Sequence, residues 1–276
     1  MSPPDVIAAV DAVTHRFGRT VALDHVSARF APGRVSAVVG GDGAGQSTLL
    51  RCLVGQVVPG EGRVTRPAKR EVGYMPSASG TWRELSVAEN LEFVLRAHGR
   101  SVAHEQRRID ALLERAGLAD VRGRIAGDLS GGMRKKLGFV LAVIHEPSVL
   151  VLDEPSTGVD PVSRVELWGL IVDAAATGTT VVMATTYLDE AERANSLLVL
   201  DHGGVLAHGT RSAVLASAPG SVTTVDQATD PQRAWRRGTA VRQWSPARDA
   251  SSGGRPADLE DAVIAHMLAR AGDEVA

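Results

Sequence analysis

Two carboxylates close an apolar run in Val149-Leu150-Val151-Leu152-Asp153-Glu154-Pro155. Four apolar residues in succession read as a buried strand, and open α/β sheets carry ligand chemistry at the carboxyl ends of such strands. Asp153 is expected to hold Mg2+ through water, and Glu154 to polarise an attacking water as general base. A surface turn is the competing reading, and it leaves the four apolar residues and Pro155 unexplained. Gly40-Gly41-Asp42-Gly43-Ala44-Gly45-Gln46-Ser47-Thr48 is a second chemical element. Its glycines let successive backbone N–H groups curl round a phosphate at a helix N-terminus, where the dipole favours an anion. Ser47 offers a hydroxyl to Mg2+, while Gln46 stands where the pattern G-x-x-x-x-G-K-[ST] has lysine. Taken alone, the loop fits a ligand-free glycine-rich turn as well as a phosphate cradle. Leu129-Ser130-Gly131-Gly132-Met133 is a third element, with a capping serine and two glycines exposing donors to an anion. An ordinary capped helix explains that segment equally well when it is read in isolation.

These groups need a frame, and the surrounding pattern supplies one. Val6 to Arg16 and Thr20 to Phe30 alternate as strands, Pro32-Gly33 marks a turn, and Arg34 to Val39 is a short apolar strand running into the glycine loop. A helix is expected from Ser47 to about Gly55. Residues 86–117 carry helical spacing, with Leu91, Val94 and Leu95, then Ile109, Leu112 and Leu113. Ser130 caps a helix that reaches Ile144 and stops at Pro147. After the strand that ends in Asp153 come a helix from Val162 to Ala175, a strand from Thr179 to Ala184 and a helix from Leu188 to Ala194. Strands alternating with helices specify an α/β fold with a mostly parallel sheet. The character changes near Ala216 to Ser221. Residues 222–244 read as strand, helix, strand, Ser245 to Pro256 as a linker, and Ala257 to Ala271 as a terminal helix.

Composition narrows the function classes. With 44% hydrophobic and 22% charged residues the chain can bury a core. A formal net charge of -2 gives no electrostatic reason for a nucleic-acid partner. One cysteine, Cys52, excludes an intramolecular disulfide framework. Met1 to Asp5 shows no signal-peptide pattern, and no apolar run approaches the ~20 residues that span a bilayer, so a membrane role requires a partner.

The order of the elements is informative: phosphate loop, Leu-Ser-Gly-Gly, apolar-Asp-Glu-Pro, then Ser156-Thr157-Gly158-Val159-Asp160-Pro161. Over residues 5–215 the chain resembles the nucleotide-binding domains of ABC ATPases. The resemblance implies a phosphate-loop NTPase fold with an N-terminal antiparallel β subdomain and a helical signature subdomain at about 77–144. It implies a nucleotide-binding domain over 1–217 and a small accessory region over 218–276. ATP and Mg2+ are the implied cofactors. Phe17 becomes the aromatic that stacks on adenine, with a plain core aromatic as the alternative. Gly40 to Thr48 become the Walker A loop, Ser130, Gly131 and Gly132 the signature, Asp153 and Glu154 the Walker B pair, and Asp160 the D-loop aspartate. Val72-Gly73-Tyr74-Met75-Pro76, Leu85-Ser86-Val87-Ala88-Glu89-Asn90-Leu91, Tyr187-Leu188-Asp189-Glu190-Ala191-Glu192 and Leu259-Glu260-Asp261-Ala262 resemble the ABC-2-type, drug-resistance exporter branch.

Three positions depart from that family's pattern. Gln46 replaces the Walker A lysine, Ser77 stands at the Q-loop glutamine that would touch the metal, and Tyr187 stands at the switch histidine. A neutral amide cannot present a full positive charge to the phosphates, and losing one such donor slows catalysis ~10²–10³-fold. Hydrolysis at the chain's own site is therefore expected to be weak or absent. In the family each ATP is sandwiched between Walker motifs of one domain and the signature of another. The surviving signature favours a heterodimer with a second, competent ABC ATPase over a homodimer. A separate transmembrane permease is the other implied partner, placing the chain at the cytoplasmic face of the membrane, with docking expected near Pro76 to Asn90 through Trp82 and Arg83. A nucleotide-binding module without catalysis is the alternative function. DNA-repair ABC ATPases are disfavoured because residues 49–129 leave no room for a long coiled coil.

Overall fold

The computed structural model describes residues 7–247 and 258–273. Strands β1 (Ala8–Phe17) and β2 (Thr20–Phe30) form a hairpin whose two-residue loop begins at Gly18, φ +60°, the left-handed position such a loop requires. Strand β3 (Val35–Val39) leads into the glycine loop and helix α1 (Gln46–Val54). Strand β4 (Glu61–Thr65) pairs antiparallel with β1 and completes a three-stranded sheet in the order β2-β1-β4. The antiparallel N-terminal subdomain is therefore present.

The core sheet has six strands. Strand β5 (Val72–Met75), β6 (Val149–Asp153), β7 (Thr180–Ala184), β8 (Ser196–Asp201) and β9 (Gly204–Gly209) join β3 in the order β5-β6-β7-β3-β8-β9. All neighbours are parallel except β8 and β9. Every residue of β3, β6 and β7 is buried, as expected for parallel strands covered on both faces.

The helical subdomain holds α2 (Val87–Ala97), α3 (Val102–Arg115) and α4 (Gly131–Val143). The single helical stretch expected over 86–117 is two helices. Gly99 at φ +70° ends the first, and the chain re-enters helix after Ser101. A reciprocal cap starts α2: Glu89 N–H donates to Ser86 Oγ at 3.2 Å and Ser86 N–H to Glu89 Oε2 at 2.7 Å. Helix α4 starts where its cap predicts, with Met133 N–H donating to Ser130 Oγ at 3.2 Å. It is buried for most of its length. Gly138 permits the closest approach, because a Cβ there would lie 2.3 Å from the Ser79 carbonyl oxygen.

At the C-terminal end of α4, His145 stacks on His98 with ring centroids 3.8 Å apart. Its Nε2 lies 3.3 Å from the Val72 carbonyl. Burial, with the cationic neighbours Arg100 and Arg108 and the facing His98, pushes His145 down to about 4 from 6.5. His98 is lowered as well, mainly by burial. The unfolded chain therefore takes up the His145 proton first as pH falls. Stability carried by neutral His145 is complete above the unfolded value and drains away between pH 6.5 and about 4. His145→Gln is expected to lose about 2 kcal/mol less than the parent chain between pH 7 and pH 5 in urea unfolding. Equal losses in the two proteins would contradict this account.

Helix α5 (Pro161–Ala176) follows the Asp160 cap, and α6 (Leu188–Ala191) and α7 (Arg211–Ser217) complete the domain. Beyond them, residues 222–244 depart from the expected strand, helix, strand. They contain β10 (Ser221–Val225), one 3-10 turn at Pro231–Arg233, β11 (Ala234–Arg237) and β12 (Ala240–Ser245), in the antiparallel order β10-β12-β11. Pro231 and Gly238, φ +59°, bracket a six-residue stretch with little helical preference of its own, and pairing with β12 makes it a hairpin arm. The terminal helix α8 (Leu259–Asp273) is present. Val214, Val222, Trp244, Leu259 and Ala262 join the same apolar cluster as the core sheet. Residue 257 and most of the expected linker lie outside the described residues. Among the described residues no helix is long and apolar enough to cross a membrane.

Candidate functional site

The glycine loop is shaped by what surrounds it. A Cβ on Gly40 would sit 2.5 Å from the Leu200 carbonyl oxygen, and one on Gly45, φ +104°, would sit 2.4 Å from that of Ala22. Only glycine fits either position. Gly45 also caps α1 without a side chain to accept from the helix, and no acidic residue lies in its first turn. The amides at this helix start are thus directed to a ligand and not to a protein carboxylate, which fits a phosphate group. Gln46, the first residue of α1, folds back across the loop and donates from Nε2 to the Gly40 carbonyl at 3.3 Å. Asp42 is exposed, Ala44 is buried, and Thr48 lies half-buried one position past Ser47.

Ser47 Oγ donates to Asp153 Oδ1 at 3.1 Å. Asp153 is only 2% exposed. Its carboxyl is raised, first by burial and then by the neighbouring Glu154, while the Ser47 hydroxyl, Arg51 and Lys135 oppose the rise. A buried carboxylate beside a hydroxyl is a hard oxygen pair short of positive charge, and that donor set suits Mg2+, which keeps waters and phosphate oxygens as its other ligands. Among the described residues there is no cluster of three or more His, Cys, Asp or Glu that would hold a metal by protein ligands alone. Glu154 adopts φ +48°, unusual for a residue with a side chain. Its N–H donates to the Ala184 carbonyl at 3.0 Å, and its own carbonyl accepts from Lys135 Nζ at 2.8 Å.

Ser77 has an exposed side chain and contributes its backbone: its carbonyl accepts from the same Lys135 ammonium at 2.7 Å. Burial lowers the Lys135 ammonium, with Glu154 and Asp153 pulling the other way. Tyr187 is turned toward α5, where the Arg164 guanidinium lies 4.1 Å over its ring. Arg164 is held in turn by Glu190 at 3.1 Å and Asp189 at 3.1 Å. Asp160 caps α5, accepting from the N–H groups of Val162 at 3.1 Å and Ser163 at 3.0 Å, bonds that lower its carboxyl. Phe17 is 51% exposed, which removes the plain-core reading, and His15 packs edge-on against it.

Ser130 and Gly131 are exposed at the start of α4. The atoms nearest the signature glycines belong to the Gly158–Ser163 turn: a Cβ on Gly131 would lie 3.6 Å from the Gly158 carbonyl oxygen, and one on Gly132 2.7 Å from Ser163 Oγ. The structure thus joins Ser47 to Asp153, Glu154 to Ser77 through Lys135, and Asp160 to the signature. Lys135, Arg51 and Arg164 escaped the sequence reading. The scarcity of lysine, three in the chain, was the one signal that could have singled out Lys135.

A glycine loop before a helix, a serine–aspartate pair and a second carboxylate at parallel strand ends define a nucleotide-binding domain of the phosphate-loop class. The family model described as ABC transporter matches residues 23–157. Over 200 residues the chain is 42% identical to "Probable multidrug ABC transporter ATP-binding protein YbhF" of Escherichia coli, covering 68% of this chain and 34% of that protein. It therefore spans about a third of that relative's length. It is 37% identical over 227 residues to the daunorubicin resistance ATP-binding protein DrrA3 of Streptomyces coeruleorubidus, covering 78% of this chain and 72% of the relative. A solved structure described as the ATP binding subunit of an ABC transporter superposes with a TM-score of 0.70 at 28% identity, covering 76% of this chain and 92% of that one. The chain belongs to the ABC transporter family of ATP-binding proteins.

Proposed function

We propose that this chain is the ATP-binding subunit of a multi-subunit ABC-2-type exporter, with an impaired site of its own and a signature that completes a partner's site. The observation that carries the reading is the Gln46 side chain, whose neutral amide is spent on the Gly40 carbonyl at 3.3 Å where the family has a cation. Ser47 bonds Asp153, Glu154 follows it at the strand end, and the Ser130-Gly131 start of α4 is exposed, which supports the rest of the reading. An intact signature next to a weakened phosphate loop suits a heterodimer with a competent second ATPase better than a homodimer carrying two weakened sites. The relatives named for drug resistance support an exporter, and no substrate class follows for this chain. A separate permease would bind at Pro76 to Asn90, where exposed Trp82 packs on exposed Phe93 with centroids 4.3 Å apart, and would hold the chain at the cytoplasmic face of the membrane. The 1–217 nucleotide-binding domain and 218–276 accessory region belong to the same proposal.

In this arrangement Ser47 and Asp153 would hold the metal, which would supply charge neutralisation at the phosphates, and Glu154 would accept the proton of the attacking water. Purified chain is expected to bind Mg·ATP in calorimetry yet turn it over negligibly, with turnover appearing when a competent sister subunit is added. Robust turnover by the chain alone would refute the impaired-site reading. Glu154→Gln in the reconstituted transporter separates this from a non-hydrolysing regulatory module, for which transport would survive the change.

A further inference from the structure

The family's link between the Q-loop and the reacting centre is a glutamine side chain, and Ser77 is too short to make it. The structure holds another link at the same place. Lys135 Nζ lies 2.7 Å from the Ser77 carbonyl and 2.8 Å from the Glu154 carbonyl, so one ammonium on the signature helix bridges the two segments. Gly138, one turn further along α4, makes the approach possible, because any Cβ there would meet the Ser79 carbonyl at 2.3 Å. Glu154 is the residue such a bridge would act on. Its φ of +48° is a conformation that persists only where neighbours over-determine it. The Ala184 carbonyl fixes its N–H, and Lys135 at 2.8 Å, with the weaker Thr157 N–H at 3.4 Å, fixes its C=O. The adjacent Lys136 is committed elsewhere, to Glu166 at 2.7 Å.

We propose that Lys135 is a positioning residue that stands in for the missing Q-loop side chain, coupling the Ser77 segment and the signature helix to the orientation of Glu154. Any displacement of α4 or of Ser77 then reaches the Glu154 backbone through a single charged group. The inference rests on the proposed function for its kinetic consequence, and on the geometry of Lys135 alone for the bridge itself.

Two variants of the full chain test it, Lys135→Met and Lys135→Arg. In hydrogen exchange without nucleotide, Lys135→Met is expected to speed exchange of the amides at 77–79 and at 154, 156 and 157 by about tenfold or more, the loss that goes with a hydrogen bond to a charged donor. Exchange in β3 and β7 stays unchanged, and Lys135→Arg, which still offers two donors, keeps the protection. In a Gln46→Lys background, where the chain's own site is expected to turn over, Lys135→Met lowers kcat about tenfold with KM for ATP unchanged, and the arginine variant restores it. Unchanged exchange at both segments, a rise spread evenly over the sheet, or equal loss in both variants would overturn the proposal. An assembly whose wild-type form shows no turnover would sink the hydrolysis in the proposed function while the exchange result still decides the bridge.

Discussion

Gln46→Lys is expected to raise ATP turnover at this chain's own site by about 10²-fold or more, the factor that one donor to a developing phosphate charge commands. The loop that would carry the lysine is already in position: Gly40 lies close against the Leu200 backbone and Gly45 against that of Ala22, and α1 starts at residue 46 in any case. The Gln46 amide gives up only a 3.3 Å bond to Gly40 when it is replaced. An ammonium in its place brings a full charge near the Ser47–Asp153 pair, whose carboxyl is raised first by burial. Full family-level activity is not expected, because Ser77 and Tyr187 remain and groups that act as one unit do not contribute additively. Steady-state hydrolysis by the purified variant measures the gain directly. Tighter Mg·ATP binding without faster hydrolysis would mean that Gln46 is not the limiting loss.

Gly132→Ala is expected to act in the opposite place, on the partner's site. The added methyl would lie 2.7 Å from Ser163 Oγ and 2.9 Å from Ser163 Cβ, so the serine cannot relieve the clash by rotating its hydroxyl alone. The start of α4 must then move off the Asp160 cap, carrying Ser130 and Gly131 with it. Overpacking of this kind costs about 1–3 kcal/mol of stability. If those donors complete a partner's site as proposed, misplacing them costs more in rate, about 10²-fold in turnover of a mixed assembly. ATP affinity of the isolated chain stays as before, since the Gly40–Ser47 loop is built from other contacts. The reverse pattern, lost affinity in isolation with turnover of the assembly intact, would show that the signature does not serve a second subunit.

Local signals were legible where backbone conformation is decided by neighbours in the chain. Ser130 capping α4, Asp160 with Pro161 opening α5 and the glycines shaping residues 40–45 were all readable, because caps and left-handed turns need particular residue types. Strand β4 was not assigned. Its five residues Glu-Gly-Arg-Val-Thr hold one apolar side chain, and it is a strand because β1 pairs with it. Strand β5 lies within a segment that was read only for its family wording. The helix expected in 222–244 yielded to the β10-β12-β11 sheet, where Trp244 is buried and its Nε1 donates to the Pro219 carbonyl at 2.9 Å. Short segments have little preference of their own, and long-range pairing settles them.

What the linear order determined by itself was the residue types on offer: a glycine-rich loop before a helix, an Asp-Glu pair closing an apolar strand, a helix-capping serine, and no lysine at position 46. Which of these touch was decided by the sheet. Placing β6 and β7 between β5 and β3 brings Ser47 to Asp153 across 106 positions and lays the Ser77 segment against the end of β6. Helix α4, pressed on that segment through Gly138, then delivers Lys135 to Glu154. A side chain's type is written at its own position, whereas the partner of a buried ammonium depends on which backbone carbonyls the packing leaves within reach.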